Sequence, residues 1–189
     1  MKKFLILIFV IIILSTGCLV EPKEGTKILN SYVTTNTSFQ IRVVVLDDAV
    51  NKKACFVTFE TKSLSSSSWR RFPHSAYAVY YSRSNGGECG SFSYPEHIKF
   101  LNNSTAYIYW GSAYLVTLDE GGSWIDWSVY QHLPDKVYDN NNLIQSVSMA
   151  SNGKGEMVLN PKSTISKATI KLATDDFGQN WKLELPITE

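Results

Sequence analysis

Apolar and polar residues alternate along much of the chain, in short runs separated by turn residues. In residues 39–45 the odd positions are all apolar, and Gln40 and Arg42 lie between them. This period of two predicts a β-strand with one buried face. After a polar turn at 47–53, residues 54–61 form the next strand-like run. No segment repeats apolar residues at helical spacing over several turns, so the pattern predicts an all-β fold.

The second half of the chain contains the same order of elements twice, namely four short strand-like runs joined by tight turns. The first unit has runs at 97–101, 106–110, 113–118 and 124–129, and the second has runs at 143–150, 156–160, 167–173 and 181–185. Short runs of this kind, joined in sequence by turn residues, predict two antiparallel meanders. Residues 38–96 are a candidate for a third, degenerate unit.

A Thr-x-Asp-x-Gly-x-x-Trp motif joins the third and fourth runs of both units, and its two copies start 57 residues apart. Glycine tolerates the positive φ of a hairpin turn, and a short carboxylate accepts hydrogen bonds from the turn's own amides. The tryptophan leaves the turn and packs as an apolar anchor. The pattern is that of an Asp-box. Its residues are Thr117, Asp119, Gly121 and Trp124, and then Thr174, Asp176, Gly178 and Trp181.

These acids have two interpretations, a catalytic or metal site and a structural turn. We favour the structural turn, because the carboxylates are engaged by their own loops. A four-stranded meander is also the unit of one propeller blade. The sequence therefore predicts a propeller-like stack of four-stranded antiparallel meanders with Asp-box hairpins, and a β-sandwich is the alternative. Since propellers generally need at least four blades to close, we expect either a small irregular ring or an open stack with an exposed edge.

Aromatic residues occupy both faces of some predicted strands, as at Tyr107, Tyr109 and Trp110. A simple two-layer sheet buries only one face. The rings therefore either pack between stacked sheets, which we favour, or lie at the surface as interface anchors.

The N-terminus has the pattern of a secretory signal. Two lysines precede an apolar run at 4–14 that is too short to span a membrane, and small residues follow it. Residues 14–18 (LSTGC) resemble the bacterial lipobox, although Ser15 stands where that family usually has leucine. The resemblance implies that the signal peptide comprises residues 1–17 and that Cys18 is lipidated. A tether to residue 30 and one β domain at 31–189 would follow. Ordinary signal cleavage is the alternative. Leu19 after Cys18, by resemblance to enterobacterial lipoproteins, implies the outer membrane, facing the periplasm.

Charge and cysteine content narrow the possible functions. The whole chain has a formal charge of +1, and removal of residues 1–17 takes away two lysines and leaves −1. A near-neutral chain without a basic block is not built to bind nucleic acid. After Cys18 only Cys55 and Cys89 remain, and an isolated pair in an oxidising compartment most simply forms one disulfide. A metal site or a cysteine nucleophile is less favoured, since no histidine lies at ligand spacing from either.

The propeller enzymes that carry Asp-boxes are sialidases, which bind an acidic sugar with three arginines and use a tyrosine nucleophile. This chain has four arginines, at 42, 70, 71 and 83, and none lies in a sialidase context. The three histidines, at 74, 97 and 132, are scattered without metal-ligand spacing. The chain also has no GxSxG elbow and no phosphate-binding glycine loop. We therefore expect a binding protein and not an enzyme, with no cofactor and no metal.

A lipobox, a short tether and an all-β domain with the hairpins LDEGGSW and TDDFGQNW resemble the lipase-immunity lipoproteins encoded beside type VI secretion phospholipase effectors. The resemblance implies a membrane-anchored protein that binds a toxin, the lipase effector, and blocks it. Such a role requires a preorganised surface and no chemistry. The alternatives are a propeller scaffold or assembly factor of the cell envelope, and a glycan-binding module.

Overall fold

The part of the chain that the structure describes forms three antiparallel sheets, each four strands wide, so the prediction of an all-β fold is confirmed. The structure is a computed structural model, and it describes residues 27–47, 54–72, 79–82, 95–133, 143–160 and 170–184. No helix in these ranges is long and apolar enough to cross a membrane.

The first sheet contains five strands. They are β1 (Ile28–Thr35), β2 (Phe39–Asp47), β3 (Ala54–Ser63), β4 (Arg70–Arg71) and β5 (Val79–Ser82). The order is β1-β2-β3, and β4 and β5 pair with opposite ends of the same edge of β3. The alternation of apolar residues in β2 predicted this strand, but β1 has no such pattern and was missed. It begins at Ile28, upstream of the domain boundary expected at residue 31.

The second and third sheets are the two predicted meanders, with each strand paired to the next along the chain. The second sheet has β6 (Ile98–Phe100), β7 (Ala106–Trp110), β8 (Ala113–Thr117) and β9 (Ile125–Ser128). The third has β10 (Leu143–Met149), β11 (Gly155–Asn160), β12 (Ile170–Thr174) and β13 (Lys182–Glu184). A 3-10 turn at Pro95–His97 precedes the second sheet, and a single helical turn, α1 (Val129–His132), follows it. The sequence pattern predicts a strand at 124–129, whereas β9 ends at Ser128 and Val129 begins α1.

The three sheets stack in chain order, and the middle sheet is buried on both faces. In β7 the even and odd positions face opposite ways, so that Ile108 packs against the first sheet and Tyr107 against the third. Tyr107, Tyr109 and Tyr114 are all buried, at 7% exposure or less. For these three rings the structure agrees with packing between sheets, which is why β7 and β8 are apolar at nearly every position.

Candidate functional site

The first Asp-box is closed by hydrogen bonds within its own loop. The Thr117 hydroxyl donates to Asp119 Oδ1 (2.8 Å) and accepts from the Gly121 N–H (2.9 Å). Asp119 Oδ1 also accepts from the Ser123 N–H, and Oδ2 accepts from the Ser123 hydroxyl, both at 2.7 Å. Burial alone would raise the pKa of Asp119, but the hydrogen bonds from Ser123 and Thr117 outweigh it and lower the pKa. Both oxygens of the carboxylate are therefore engaged.

The second Asp-box repeats this arrangement with asparagine in place of serine. The Thr174 hydroxyl donates to Asp176 Oδ1 (2.7 Å) and accepts from the Gly178 N–H (3.0 Å). The Asn180 N–H donates to Oδ1 (3.0 Å), and its side-chain amide donates to Oδ2 (2.7 Å). Burial favours a higher pKa for Asp176, and the donors from Asn180 and Thr174 overcome it, so the pKa is again lowered. This carboxylate is also an internal part of its turn.

Both boxes reverse the chain through two consecutive residues with positive φ. Gly121 (+78°) and Gly178 (+80°) take the positions that the sequence assigned to them, and Glu120 (+60°) and Phe177 (+61°) precede them in the same conformation. Two residues of this kind in succession are typical of the turns that match strand twist. The glutamate and phenylalanine were missed, because residues of these types, unlike glycine and asparagine, give no sequence signal for positive φ.

The two box tryptophans lie between sheets, with 8% of Trp124 and 9% of Trp181 exposed. Trp124 stacks on Phe72 of the first sheet, with ring centroids 4.2 Å apart, and Trp181 meets the edge of Tyr114 of the second sheet at 5.3 Å. Each tryptophan therefore anchors its hairpin to the preceding sheet in the stack.

Hydrogen bonds join the same pairs of sheets. The Thr61 hydroxyl of β3 donates to the Gly121 carbonyl (3.2 Å), and the Tyr114 hydroxyl of β8 donates to the Phe177 carbonyl (2.8 Å). Arg70 of β4 donates to the carbonyls of Gly121 and Gly122. In both cases a box binds the third strand of the sheet before it, so the boxes act as clamps between sheets.

A related turn closes the first sheet, where the sequence shows no Asp-box. The Leu64 N–H donates to the Ser38 carbonyl (3.0 Å), as Glu120 does to Ser104 and Phe177 does to Gly153, both at 2.9 Å. Leu64, Glu120 and Phe177 each follow a buried threonine by three positions, namely Thr61, Thr117 and Thr174. Serines replace the aspartate and glycine here. This equivalence supports the interpretation of residues 38–96 as part of a third, degenerate unit.

A polar cleft of about 290 Å³ lies between this serine-rich turn and the first Asp-box. Its walls are Thr61, Ser63, Ser66, Ser68, Arg70, Asp119, Glu120, Gly121 and Gly122. Arg70 and Asp119 are committed to the carbonyls and donors described above. The Ser63 hydroxyl lies 2.8 Å from that of Ser65, and the Ser66 and Ser68 hydroxyls lie 3.4 Å apart.

The described arginines do not converge on one site. Arg42 and Arg71 both approach Glu60 on the outer face of the first sheet, the face turned away from the second sheet, and Arg71 Nη2 is 3.7 Å from the carboxylate. Arg70 points the other way, to the Gly121 and Gly122 carbonyls, as expected for adjacent residues in a strand. Arg83 lies outside the described residues.

The remaining predicted site residues are placed as follows. Cys18 and Cys89 lie outside the described ranges, as do residues 1–26, and only the backbone of Cys55 is described, in β3 opposite Tyr81. The predicted lipidation and disulfide stay predictions. Within the parts of the chain that the structure describes, no three His, Cys, Asp or Glu side chains are grouped as metal ligands.

His97 and His132 pack on aromatic rings, and His74 lies outside the described residues. His97 lies edge-on to Tyr109 and Trp110, at 4.7 and 5.4 Å. Burial lowers the pKa of His97, against an opposing effect of Glu96. His132 stacks on Trp127 at 5.3 Å. These contacts fit structural or boundary positions better than metal ligation.

Strand β1, which sequence reasoning did not single out, is exposed at seven of its eight residues. Four of its eight residues are large exposed apolar side chains, namely Ile28 (51%), Leu29 (38%), Tyr32 (38%) and Val33 (44%). It lies at the edge of the first sheet and contains no charged residue and no proline. Soluble proteins usually place charged residues or proline in an edge strand to prevent another strand from pairing with it, and β1 has neither.

The free edge of β1 can be identified from the ladder. The Asn36 N–H donates to the Phe39 carbonyl, so Asn30, Tyr32 and Thr34, which keep the same register, point their backbone groups at β2. Ser31 and Val33 therefore point theirs away from the sheet. The Ser31 N–H is occupied only by the neighbouring Asn30 side chain, at 2.8 Å. Among the described strands, none pairs with this edge.

In the described ranges, the fold and this site define an all-β protein of three stacked sheets, clamped by Asp-box turns, with one edge of β1 that no described strand pairs with. No protein-family model matches the chain. No curated protein matches it significantly.

Proposed function

We propose that this protein is a lipid-anchored, periplasm-facing immunity protein that binds and neutralises a type VI secretion lipase effector. The N-terminal lipobox pattern supports the anchor at Cys18 and the outer membrane as its location. The engagement of Asp119 and Asp176 within their own turns supports a binding role and not a catalytic one.

The observation that carries this proposal is the open edge of β1. Exposed apolar side chains together with backbone groups that point away from the sheet suit a protein partner, because a partner strand can bond to the backbone while pockets take the side chains. A stable toxin complex needs a rigid surface of this kind. Strand β2, which supports β1, is buried over most of its length.

For the arrangement of the sheets we infer a propeller-like stack, in which each four-stranded sheet is one blade. The repeated contact between each Asp-box and the third strand of the preceding sheet supports this arrangement, since a constant contact generates a constant rotation. The equivalent hydrogen bond in all three sheets supports it too. A β-sandwich, the alternative, has two packed layers, whereas here the middle sheet is covered on both faces.

The test is inhibition of the lipase encoded beside this gene. The purified chain should abolish phospholipid hydrolysis at a near-equimolar ratio, because an immunity protein forms a tight complex with its effector. Unchanged hydrolysis in the presence of an excess of the protein would refute the proposal.

Two variants test whether the lipase binds at the free edge of β1, one that alters this edge and one that alters an exposed residue elsewhere. Ser31→Pro removes an N–H that points away from β2, so it should weaken inhibition while leaving the β1–β2 ladder intact. Leu118→Asp alters an apolar residue outside β1 that is 37% exposed, about as much as Leu29 and Tyr32 of β1 at 38%, and this variant should inhibit the lipase as strongly as the unaltered protein does. Equal inhibition by both variants would exclude the edge as the contact.

A scaffold or assembly factor of the envelope is the second candidate. The same open edge favours it, because an edge strand accepts any partner that supplies a complementary strand. Two observations together would favour this candidate: the gene lies beside no lipase gene, and the protein forms a stable complex with other proteins of the envelope.

A further inference from the structure

The outer face of the first sheet carries a row of charged and aromatic side chains across its strands. Register places Val33, Arg42, Glu60 and Arg71 side by side on β1, β2, β3 and β4. Lys62 lies on the same face as Arg42 and Glu60, and Trp69 covers both cations. We call Arg42, Lys62, Trp69 and Arg71 the cationic face.

Trp69 holds two cations in place. The Arg42 guanidinium lies 4.4 Å and the Lys62 ammonium 5.0 Å from the centre of its ring. Arg42 also donates through Nε to Glu60 (2.9 Å). Because these contacts fix side chains that would otherwise be mobile, less conformational entropy is lost when a partner binds them. Tryptophan and arginine are also the residues that most often dominate the energy of interfaces.

The charge of this face is unbalanced. Its described residues include three cations and the single carboxylate of Glu60, a formal charge of +2. Register places Lys171, Lys182, Glu156 and Glu184 on the outer face of the third sheet, where the formal charge is zero. An excess of cations on one face selects a partner of opposite charge.

The open part of this face lies next to the free edge of β1. Val44 and Leu46 are also on this face but are buried, at 1% and 3% exposure, so the accessible part surrounds Arg42. There Val33 is 44% exposed and the Arg71 side chain is 43% exposed. Apolar and cationic groups are therefore offered together, which fits a polypeptide with both apolar and acidic side chains.

We propose that the cationic face is the docking surface for the partner protein, and that the segment it receives carries carboxylates. This inference rests on the binding role proposed above and names the chemistry of the partner's contact. The partner's acids pair with Lys62 and Arg71, while its apolar side chains pack on Trp69 and Val33.

The test uses the full chain in cells of its native host, with a photoreactive p-benzoylphenylalanine at position 33. The same probe at position 182, an exposed lysine on the charge-balanced face of the third sheet, is the control. Adducts are then identified by mass spectrometry. We expect position 33, and not 182, to capture a protein through a segment rich in Asp or Glu.

Charge variants test the chemistry. Lys62→Glu should lower the adduct yield at position 33 by about tenfold, equivalent to roughly 1.4 kcal/mol, and Lys62→Gln should lower it less. Lys182→Glu should leave the yield unchanged. Lys62→Gln removes the positive charge without introducing a negative one, so it keeps the test valid if Lys62→Glu destabilises the fold.

The outcomes separate the two proposals. Capture of an acidic segment of a protein other than a lipase supports the docking surface and removes the immunity role. The opposite result is that the protein inhibits the lipase but position 33 gives no higher adduct yield than position 182. This result keeps the immunity role and overturns the docking surface. Adducts only to lipid, or a yield that neither Lys62 variant changes, also overturn it.

Discussion

Substituting alanine for each Asp-box glycine tests whether the turns are clamps between sheets. Gly121 and Gly178 have nearly the same φ, +78° and +80°, so backbone strain is matched. Their surroundings differ. An added Cβ at position 121 would lie 3.1 Å from Thr61 Cβ, whereas at position 178 it would lie 2.5 Å from the ring of Tyr114. That ring is fully buried and its hydroxyl bonds to the same turn.

The size of each effect follows from these contacts. A left-handed conformation costs a residue with a Cβ about 1–2 kcal/mol, so Gly121→Ala should destabilise the protein by about this amount. Gly178→Ala adds overpacking against Tyr114 of about 1–3 kcal/mol. At about 2–4 °C per kcal/mol for a chain of this size, Gly178→Ala should have the lower Tm of the two by about 2–12 °C.

Thermal unfolding followed by tryptophan fluorescence measures this difference in Tm, because three of the tryptophans, at 124, 127 and 181, are buried between the sheets. Tyr114→Leu provides the control, since a shorter side chain removes the collision. In the Tyr114→Leu protein, Gly178→Ala should lower stability no more than Gly121→Ala lowers it in the unaltered protein. Equal costs for the two alanines in the unaltered protein would refute the clamp at Tyr114.

Three further predictions concern the same turns and the core. Asp119→Ala and Asp176→Ala should each lower the unfolding free energy by about 1–2 kcal/mol. Since the pKa values of both aspartates are lowered in the folded state, this stabilisation is present above the ordinary value of 3.8 and is lost as the pH falls through the folded pKa. In acid unfolding scans the alanine variants should therefore lose less stability than the unaltered protein does. Arg70→Met removes the donor to the Gly121 carbonyl and should cost about 1–3 kcal/mol in urea unfolding, and an unchanged midpoint would contradict the contact. Burial, with a smaller effect of the neighbouring Tyr109, raises the pKa of Tyr107 to about 12. Because the unfolded state ionises first, the stability of the protein should fall as the pH rises above 10. An ultraviolet titration of Tyr107→Phe should show one late-ionising phenol fewer than that of the unaltered protein.

Local sequence signals located the parts of the fold that depend on neighbouring residues. The alternation at 39–45 gave β2, and the repeated Thr, Asp, Gly and Trp positions gave the two turns. These signals work because a turn's dihedral angles and hydrogen bonds are set within about four residues. The turn at Leu64 has no such signal, and only its hydrogen bond to Ser38 reveals it.

The sequence by itself determined the all-β class, the two meanders and the internal engagement of the Asp-box carboxylates, because each depends on contacts close along the chain. Only the tertiary structure decided that both faces of the second sheet are buried, that no other described strand pairs with the outer edge of β1, and that Arg42 and Lys62 meet over Trp69. These features join residues that are far apart in sequence, and alternation along one strand does not specify which strand will lie beside it.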